Sequence, residues 1–230
     1  MNTQAAAPDL SAGKTVFVFD GYVRLCHWAY VLCILTLIAT GLLIAYPLPS
    51  VDGEASDHFV MGYVRFTHFA AGQTLALAFL LRVYAAIVGN AQSREIYVLP
   101  LRNGAWWRGV WTQILHYLFL EAEPPKSIGH NPFAQMFMWL FSSVFVVFQL
   151  LTGLALFSEG KGAGSWQDAL FGWVIPLFGG SQAVHSWHHL GMWAVICFVI
   201  VHLYMITREE IMSRQSIFSA MISGFRSYHD

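Results

Sequence analysis

The sequence predicts an all-α membrane protein: a bundle of four transmembrane helices with both termini in the cytoplasm and one further helix on the cytoplasmic surface. Three observations predict this class. Hydrophobic residues make up 57% of the 230 residues and charged residues only 11%, against about 25% charged in an average soluble domain. Four apolar segments each reach the roughly 20 residues that cross a bilayer. Basic residues are concentrated on one side of these segments.

The composition also excludes several classes of protein. A formal net charge of -1 gives the chain no attraction to nucleic acid. The first twenty residues contain no short apolar core followed by a small-residue cleavage site, so we expect the first apolar segment to be an uncleaved span. The three cysteines, an odd number without a pair at metal spacing, argue against a disulfide framework or a zinc site.

The four predicted spans end at prolines, glycines or charged residues. They are residues 25–46, 66–88, 133–157 and 187–207. The chain is thereby divided into three parts, namely a cytoplasmic N-terminal segment (1–24), a four-helix membrane domain (25–207) and a cytoplasmic C-terminal tail (208–230).

The basic residues predict the orientation of the spans. All but two of the 12 Lys and Arg residues lie in the N-terminal segment, in the second connection with the adjoining end of the second span, or in the tail. Lys14, Lys126 and Arg214 are among them, whereas the first and third connections contain only Arg65 and Lys161. Because cytoplasmic loops carry the excess of Lys and Arg, we expect both termini in the cytoplasm.

Two connections contain more than loop. Residues 104–119 are rich in aromatic residues and apolar on one side, which predicts a helix lying on the cytoplasmic membrane surface. On the outer side, residues 165–176 are too short to span a bilayer. This segment is either an interfacial helix or a docking surface for a partner.

His188 and His202 are the most informative residues of the fourth span. They lie fourteen residues apart in an almost uncharged stretch. At about 100° and 1.5 Å per residue, both side chains leave the helix within roughly 40° of one direction, about 21 Å apart along the axis. An imidazole inside a bilayer is costly without a partner and therefore indicates function.

His27 and His68 complete the pattern at matching depths. His68 begins the second span on the outer side, at the level of His188, and His27 begins the first span on the inner side, at the level of His202. Two imidazoles from different helices are the axial ligands that a six-coordinate b-type haem requires. The pattern therefore predicts an outer haem at His68 and His188 and an inner haem at His27 and His202.

Other interpretations of these histidines stay open. Each could be a hydrogen-bonded interfacial histidine, and the chain could be a haem-free transporter or a purely structural anchor. A metal or proton pathway would favour Asp or Glu within the spans, and none lies between the helix ends. Position 23 is Val23, so the C-x-x-C-H signature of covalent haem attachment is absent and any haem would be held by coordination alone.

His185 and His189 compete with His188 for the outer site. Measured from His202, they point roughly 100° and 140° away from the shared face. His188 therefore fits best, although a bend near Gly191 would reopen the choice.

Arginines and glycines near the histidines have candidate roles beside a haem. Arg24 and Arg65 each precede a proposed ligand by three residues and could pair with haem propionates or serve as interfacial anchors. Four glycines could admit a porphyrin edge or simply pack helices, namely Gly41, Gly72, Gly153 and Gly191.

His130 and Asn131 stand at the cytoplasmic start of the third span, before Pro132. Their side chains could hydrogen-bond the carbonyls of a quinone. Alternatively, Asn131 caps a helix that has Pro132 at its first position. We favour the cap, and both roles can hold together.

Five stretches of the chain resemble one known family, the cytochrome b subunits of membrane-bound uptake nickel–iron hydrogenases. The stretches are Val-Arg-Leu-Cys-His-Trp at 23–28, Met-Gly-Tyr-Val-Arg-Phe-Thr-His-Phe at 61–69, Ile-Gly-His-Asn-Pro at 128–132, His-Ser-Trp-His-His-Leu-Gly-Met-Trp at 185–193 and Arg-Glu-Glu-Ile-Met-Ser at 208–213. The resemblance extends over residues 16–228.

The resemblance implies a four-helix anchor in the bacterial cytoplasmic membrane that carries two b haems. It implies docking to a small iron–sulfur subunit and a large nickel–iron subunit on the outer face, where Asp52, Glu54, Asp57 and Trp166 are candidate contacts. Electrons from hydrogen oxidation would pass to the outer haem, the inner haem and then quinone. The chain would not itself activate hydrogen.

The resemblance also implies the haem ligands. These are His27, His68, His188 and His202, the same four residues that the spacing selects, and the chain departs from the family pattern at none of them. Similar proteins with other partners remain alternatives: the cytochrome subunit of a formate dehydrogenase, or a stand-alone quinone-linked cytochrome.

Overall fold

The structure is a computed structural model that describes residues 15–49, 52–54, 56–122, 127, 129–212 and 216–227. Lys14, Lys126 and Arg214 of the charge pattern lie outside the described residues. In chain order the elements are β1 (Thr15–Phe17), α1 (Gly21–Ala45), α2 (Val60–Val88), α3 (Ala91–Arg94), α4 (Gly104–Tyr117), α5 (Pro132–Leu140), a π-helix (Phe141–Val146), α6 (Val147–Glu159), α7 (Trp166–Phe171), α8 (Val174–Leu177), α9 (Ser181–Met212), α10 (Ile217–Ser223) and β2 (Phe225–Ser227).

Four helices of the described chain are long and apolar enough to cross a membrane. They are α1, α2, the continuous helix Pro132–Glu159 formed by α5, the π-helix and α6, and α9. The prediction of an all-helical membrane protein with four spans is confirmed. The helices α2 and α9 begin more than one turn before the predicted spans, because residues 60–65 and 181–186 continue the helical hydrogen bonding ahead of the long apolar stretch.

The third span contains a feature that the sequence did not predict. Residues Phe141–Val146 form a π-helix, which widens the backbone by one residue per turn. Within it, the ring of Phe141 stacks on Phe198 of α9, with ring centroids 3.6 Å apart and planes at 10°. The wider turn therefore lies where the third and fourth spans pack through aromatic rings.

The chain folds as two compact units. The bundle unit consists of Leu25–Tyr84 and Leu140–Ile200 and contains a segment of every span. The terminal unit consists of Met1–Arg24, Ala85–Trp139 and Val201–Asp230.

In the bundle unit, outward-facing apolar side chains remain exposed. Only 6% of the most apolar 18-residue stretch of α1 is buried. Leu32, Leu35 and Leu80 are among the exposed residues of the bundle unit. Such a face suits a helix whose solvent is lipid, because the backbone polar groups are already bonded within the helix. The segment 165–176, which is predicted to be an interfacial helix or a docking surface, forms the short helices α7 and α8. Ser165 caps α7, since its side-chain oxygen accepts a hydrogen bond of 3.2 Å from the Asp168 amide.

In the terminal unit, the two ends of the described chain pair as a small antiparallel sheet. Thr15 lies opposite Ser227, and Phe17 lies opposite Phe225. Buried apolar residues beside the sheet form a small core of Val18, Phe19, Val23 and Ala220. The pairing places both chain ends on one side of a membrane crossed by four spans. Their cytoplasmic location stays a prediction, as does the division into 1–24, 25–207 and 208–230.

The predicted surface helix is present as α4, whose buried side chains lie on one face: Trp106, Val110, Gln113 and His116. Asn103 begins the helix, and its side-chain oxygen accepts a bond of 2.9 Å from the Ala105 amide. The sequence therefore located this helix correctly, and its position at a membrane surface stays a prediction.

Candidate functional site

Two histidines from different spans face each other inside the bundle unit. His68 comes from α2 and His188 from α9; both are partly buried, and their ring centroids lie 6.4 Å apart with planes at 77°. Two imidazoles that bind one metal ion from opposite sides, with bonds of roughly 2 Å each, have ring centres roughly 6 Å apart. The observed spacing therefore suits two axial ligands of one metal.

A cavity of about 660 Å³ surrounds these two rings. Its lining is mostly aliphatic and aromatic, with residues from all four spans, and includes Arg65 at the end near His68. Pockets of roughly 300–1,000 Å³ with apolar walls and few polar groups are typical of small-molecule and cofactor sites. The cavity thus has the size and character of a site for a flat, largely apolar cofactor.

Thr40 of α1 holds the ring of His68. Its hydroxyl oxygen lies 2.8 Å from His68 Nδ1 and 2.6 Å from the Thr36 carbonyl oxygen one turn earlier in the same helix. The Thr40 side chain is 8% exposed. The remaining ring nitrogen, Nε2, is left to bind a metal.

Thr152 of α6 holds the ring of His188 in the same way. Its hydroxyl oxygen lies 2.8 Å from His188 Nδ1 and 2.8 Å from the Phe148 carbonyl oxygen. Thr152 is 1% exposed. Neither threonine is among the site residues predicted from the sequence, because a single threonine in an apolar helix gives no sign of its partner.

The glycine after each threonine lies against the same ring. A Cβ atom added to Gly41 would lie 3.4 Å from His68 Cε1, and one added to Gly153 would lie 3.1 Å from His188 Cε1. The other two glycines of the pattern have different surroundings. A Cβ atom added to Gly72 would have its nearest neighbour at 3.9 Å, in Leu37, whereas Gly191 packs against the Gln149 side chain. Only Gly41 and Gly153 therefore give the histidine rings room.

The site fits a haem. Across the residues that the structure describes, no group of three or more His, Cys, Asp or Glu residues could hold a bare metal ion. The two imidazoles would each offer one nitrogen to a haem iron, whose remaining nitrogen ligands a porphyrin would bring with it. An apolar cavity between two imidazoles is therefore suited to haem rather than to an uncomplexed metal.

The two competing histidines also line the cavity, but their ring nitrogens have other contacts. His185 is exposed, and its Nδ1 lies 3.0 Å from the Ser181 carbonyl oxygen. His189 accepts a bond of 3.2 Å at Nε2 from the indole N–H of Trp193. The geometry favours His188 as the residue opposite His68.

The predicted inner pair is distributed over the two units. His27 belongs to the bundle unit, near the start of α1, and its ring contacts Trp28 edge-on with centroids 5.3 Å apart. His202 belongs to the terminal unit, in α9. Their pairing as ligands of one haem stays a prediction.

The two arginines have different surroundings. Arg65 is exposed and lines the cavity that contains His68. Arg24 donates a hydrogen bond from Nη1 to the Ile222 carbonyl, which ties the start of α1 to α10. Arg65 therefore borders the cavity, while Arg24 has an anchoring contact within the terminal unit; a role of either in binding a propionate stays a prediction.

His130 and Asn131 both make structural contacts. The Asn131 side-chain oxygen accepts a bond of 2.7 Å from the Ala134 amide and so caps α5, as favoured from the sequence. Glu95 accepts from the His130 amide at 2.8 Å, and the same carboxylate oxygen lies 2.6 Å from His130 Nδ1. A role in binding quinone stays a prediction.

A buried polar cluster in the terminal unit was also missed. Glu209 accepts hydrogen bonds from Gln113 Nε2 at 2.7 Å and from the Tyr117 hydroxyl at 3.2 Å. Asn131 in turn donates a bond of 3.2 Å to the Tyr117 oxygen. Burial and the nearby Glu209 carboxylate raise the pKa of Tyr117 above its usual range. The signal in the sequence was the acidic pair that ends the fourth span.

Comparison with known proteins gives one consistent result. A family model described as prokaryotic cytochrome b561 matches residues 18–224. A probable Ni/Fe-hydrogenase B-type cytochrome subunit of Bradyrhizobium diazoefficiens is 54% identical over 98% of this chain and 96% of its own length. A protein of the same description from Azotobacter chroococcum mcd 1 is 52% identical, over 94% and 90%. The probable Ni/Fe-hydrogenase 1 B-type cytochrome subunit of Escherichia coli K12 is 46% identical, over 92% and 91%.

Proposed function

The chain belongs to the prokaryotic cytochrome b561 family, and we propose that it is the dihaem membrane subunit of a nickel–iron hydrogenase. As a member of this family with four spans, it is a multi-pass protein of the bacterial inner membrane and binds haem b. The proposal is that it anchors a periplasmic hydrogenase and passes electrons from hydrogen oxidation through an outer and then an inner haem to membrane quinone.

The observation that carries this proposal is the facing pair His68 and His188 in an apolar cavity. These two residues would hold the outer haem through their imidazole nitrogens, and Arg65 would pair with a propionate. When bound, the haem supplies one-electron transfer at its iron. The protein orients the two imidazoles and surrounds them with mostly apolar side chains.

The inner haem is proposed from the sequence pattern alone. His27 and His202 supply imidazoles at the opposite depth to His68 and His188, from the first and fourth spans. Arg24 is the candidate propionate partner there. Two haems at two depths would let electrons cross a barrier that excludes ions. The quinone would accept them near His130 and Asn131.

The hydrogenase partner is proposed from the relatives' descriptions. Proteins about half identical to this chain over nearly its full length are described as Ni/Fe-hydrogenase cytochrome subunits. The iron–sulfur and nickel–iron subunits would dock on the outer connections, where Asp52, Glu54, Asp57 and Trp166 are exposed. The alternatives are a cytochrome subunit of a formate dehydrogenase, a stand-alone quinone-linked cytochrome, a haem-free transporter and a structural anchor.

Purification from native membranes tests the proposal directly. We expect two b haems per chain in the reduced-minus-oxidised absorption spectrum, together with co-purified hydrogenase subunits. Addition of hydrogen should then reduce both haems, and a quinone analogue should reoxidise them. A protein without a b-type signal would overturn the haem assignment, and recovery without a nickel–iron subunit would overturn the partner.

A further inference from the structure

We propose that Thr40 and Thr152 are positioning residues that fix the protonation, the orientation and the electron-donating strength of the two outer-haem ligands. The inference rests on the proposed haem between His68 and His188 and deepens it. The threonines would not touch the iron themselves. They would influence its reduction potential through their hydrogen bonds to the two histidines.

The direction of the Thr40 hydrogen bonds follows from counting protons. A hydroxyl has one proton, and a backbone carbonyl can only accept. Since the Thr40 oxygen lies 2.6 Å from the Thr36 carbonyl oxygen, the hydroxyl proton is donated there. The contact of 2.8 Å with His68 must then have Nδ1–H as the donor. His68 is thereby held as the tautomer whose Nε2 carries a lone pair.

The same argument applies to the second ligand. Thr152 lies 2.8 Å from the Phe148 carbonyl oxygen and 2.8 Å from His188 Nδ1, so His188 also donates from Nδ1. The two halves of the site thus repeat one arrangement. A Thr-Gly pair on one span supports the histidine of the span that follows it in the chain, Thr40-Gly41 with His68 and Thr152-Gly153 with His188.

The two hydrogen bonds have a consequence for the metal. A metal-bound histidine whose other N–H is donated to an acceptor is a more basic ligand and is held in one orientation. A more basic ligand favours the oxidised form of the metal. Both threonines therefore lower the reduction potential of the outer haem, and their removal should raise it.

Isosteric substitutions in the membrane-bound complex test the inference. Thr40→Val and Thr152→Val remove the hydroxyl while keeping the side-chain shape, and Thr40→Ser restores it. The matched control is Thr74→Val, which removes a hydroxyl that bonds only the Ala70 carbonyl, at 2.8 Å, on the exposed side of the helix that carries His68.

We expect each of the two valine variants to weaken haem retention at the outer site by about 10–100-fold, the usual effect of losing such a partner of a metal ligand. In the haem that remains, the midpoint of a potentiometric titration should shift upward and the low-spin electron paramagnetic resonance signal should change. Thr40→Ser and Thr74→Val should match the wild-type protein in all three readouts.

A Thr40→Val or Thr152→Val protein with wild-type haem retention and an unshifted midpoint would overturn the inference. If Thr40→Val does not accumulate in membranes, Thr152→Val supplies the same comparison on another helix, with Thr152→Ser as its rescue. A wild-type protein without an outer bis-imidazole haem would instead overturn the proposed function, so the two failures are distinguishable.

Discussion

The bundle unit and the terminal unit bury polar side chains in opposite ways. In the bundle unit, the hydroxyls of Thr40 and Thr152 donate hydrogen bonds to backbone carbonyls of their own helices. Their oxygens can then only accept hydrogen bonds from the histidines. In the terminal unit, Glu209 of α9 is 5% exposed and bonds Gln113 and Tyr117 of α4, more than 90 positions away in sequence.

This difference suggests that the bundle-unit threonines serve the site, whereas the terminal-unit cluster serves the stability of the fold. Local bonds along a helix use up the threonine hydroxyl protons and leave the cavity walls largely apolar, and the contacts that the threonine oxygens make with another span go to the two histidines. Bonds between distant elements hold those elements together, and an unpartnered group left behind in such a cluster costs free energy. Changes in the bundle site should therefore affect haem, and changes in the terminal cluster should affect folding.

The largest expected effect is loss of the outer haem in His68→Ala and His188→Ala. Each variant removes one of two axial ligands, so haem per chain should fall from two to one and electron entry from the hydrogenase should stop. Haem quantification with hydrogen-driven reduction measures both. His185→Ala and His189→Ala are the controls and should keep two haems, since these side chains are bonded elsewhere.

His27→Ala should remove the other haem. The outer haem should still be reduced by hydrogen, while quinone reduction should stop. Spectra of the separate variants decide whether the histidines are paired by depth. Disappearance of the same haem signal in His27→Ala and His68→Ala would show that the pairing is wrong.

Glu209→Gln should destabilise the protein without removing haem from the outer site. The carboxylate accepts two hydrogen bonds in a buried setting, and bonds to a charged group contribute about 1.5–3 kcal/mol each. Glutamine keeps an amide oxygen that can accept both bonds, but as neutral bonds of about 1 kcal/mol each, so we expect a loss on the order of 2 kcal/mol, measured by thermal unfolding in detergent. Glu121→Gln, at an exposed position, should unfold like the wild-type protein.

Glycine substitutions should follow the distances to the rings. Gly153→Ala places a Cβ 3.1 Å from His188 Cε1, and Gly41→Ala places one 3.4 Å from His68 Cε1. Overpacking costs about 1–3 kcal/mol, so Gly153→Ala should reduce haem retention more than Gly41→Ala. Gly104→Ala, on α4 and with its nearest neighbour at 3.9 Å, is the control and should retain haem normally, and equal losses in all three would contradict the steric explanation.

The smallest expected effect is a pH dependence from Tyr117. Its pKa is raised above the ordinary value of 10.0, so above that pH the folded state keeps a proton that the unfolded state loses. Stability is then fully present below pH 10.0 and falls as pH rises above it. Tyr117→Phe should show a shallower loss of stability in alkaline unfolding experiments, and an identical slope would count against the assignment.

The spans and the facing histidines could be predicted because their signals are local. Long apolar runs define the spans, and fixed helix geometry places His188 and His202 on one face. The helix starts were less predictable, since residues 60–65 contain a glycine and an arginine and residues 181–186 are mixed in polarity, so neither segment simply extends the apolar run.

The supporting residues could not be predicted in the same way. A threonine in an apolar helix is ordinary in composition, and only the spatial approach of Thr40 to His68 and of Thr152 to His188 reveals its partner. The repeated Thr-Gly-Leu at 40–42 and 152–154 was the available signal. The strands β1 and β2 have three residues each, too few to show the alternating pattern of a β-strand. They also pair with each other across nearly the whole length of the chain, so no local signal predicts them.

The pairing of β1 with β2 has a consequence for biogenesis. Residues 15–17 are synthesised before the first span, and residues 225–227 are synthesised after the fourth. The sheet can therefore form only after the ribosome has made all four spans and the last of them has inserted. A chain interrupted before the fourth span would leave the backbone groups of residues 15–17 unpaired, and such an unpaired strand edge is open to pairing with other chains.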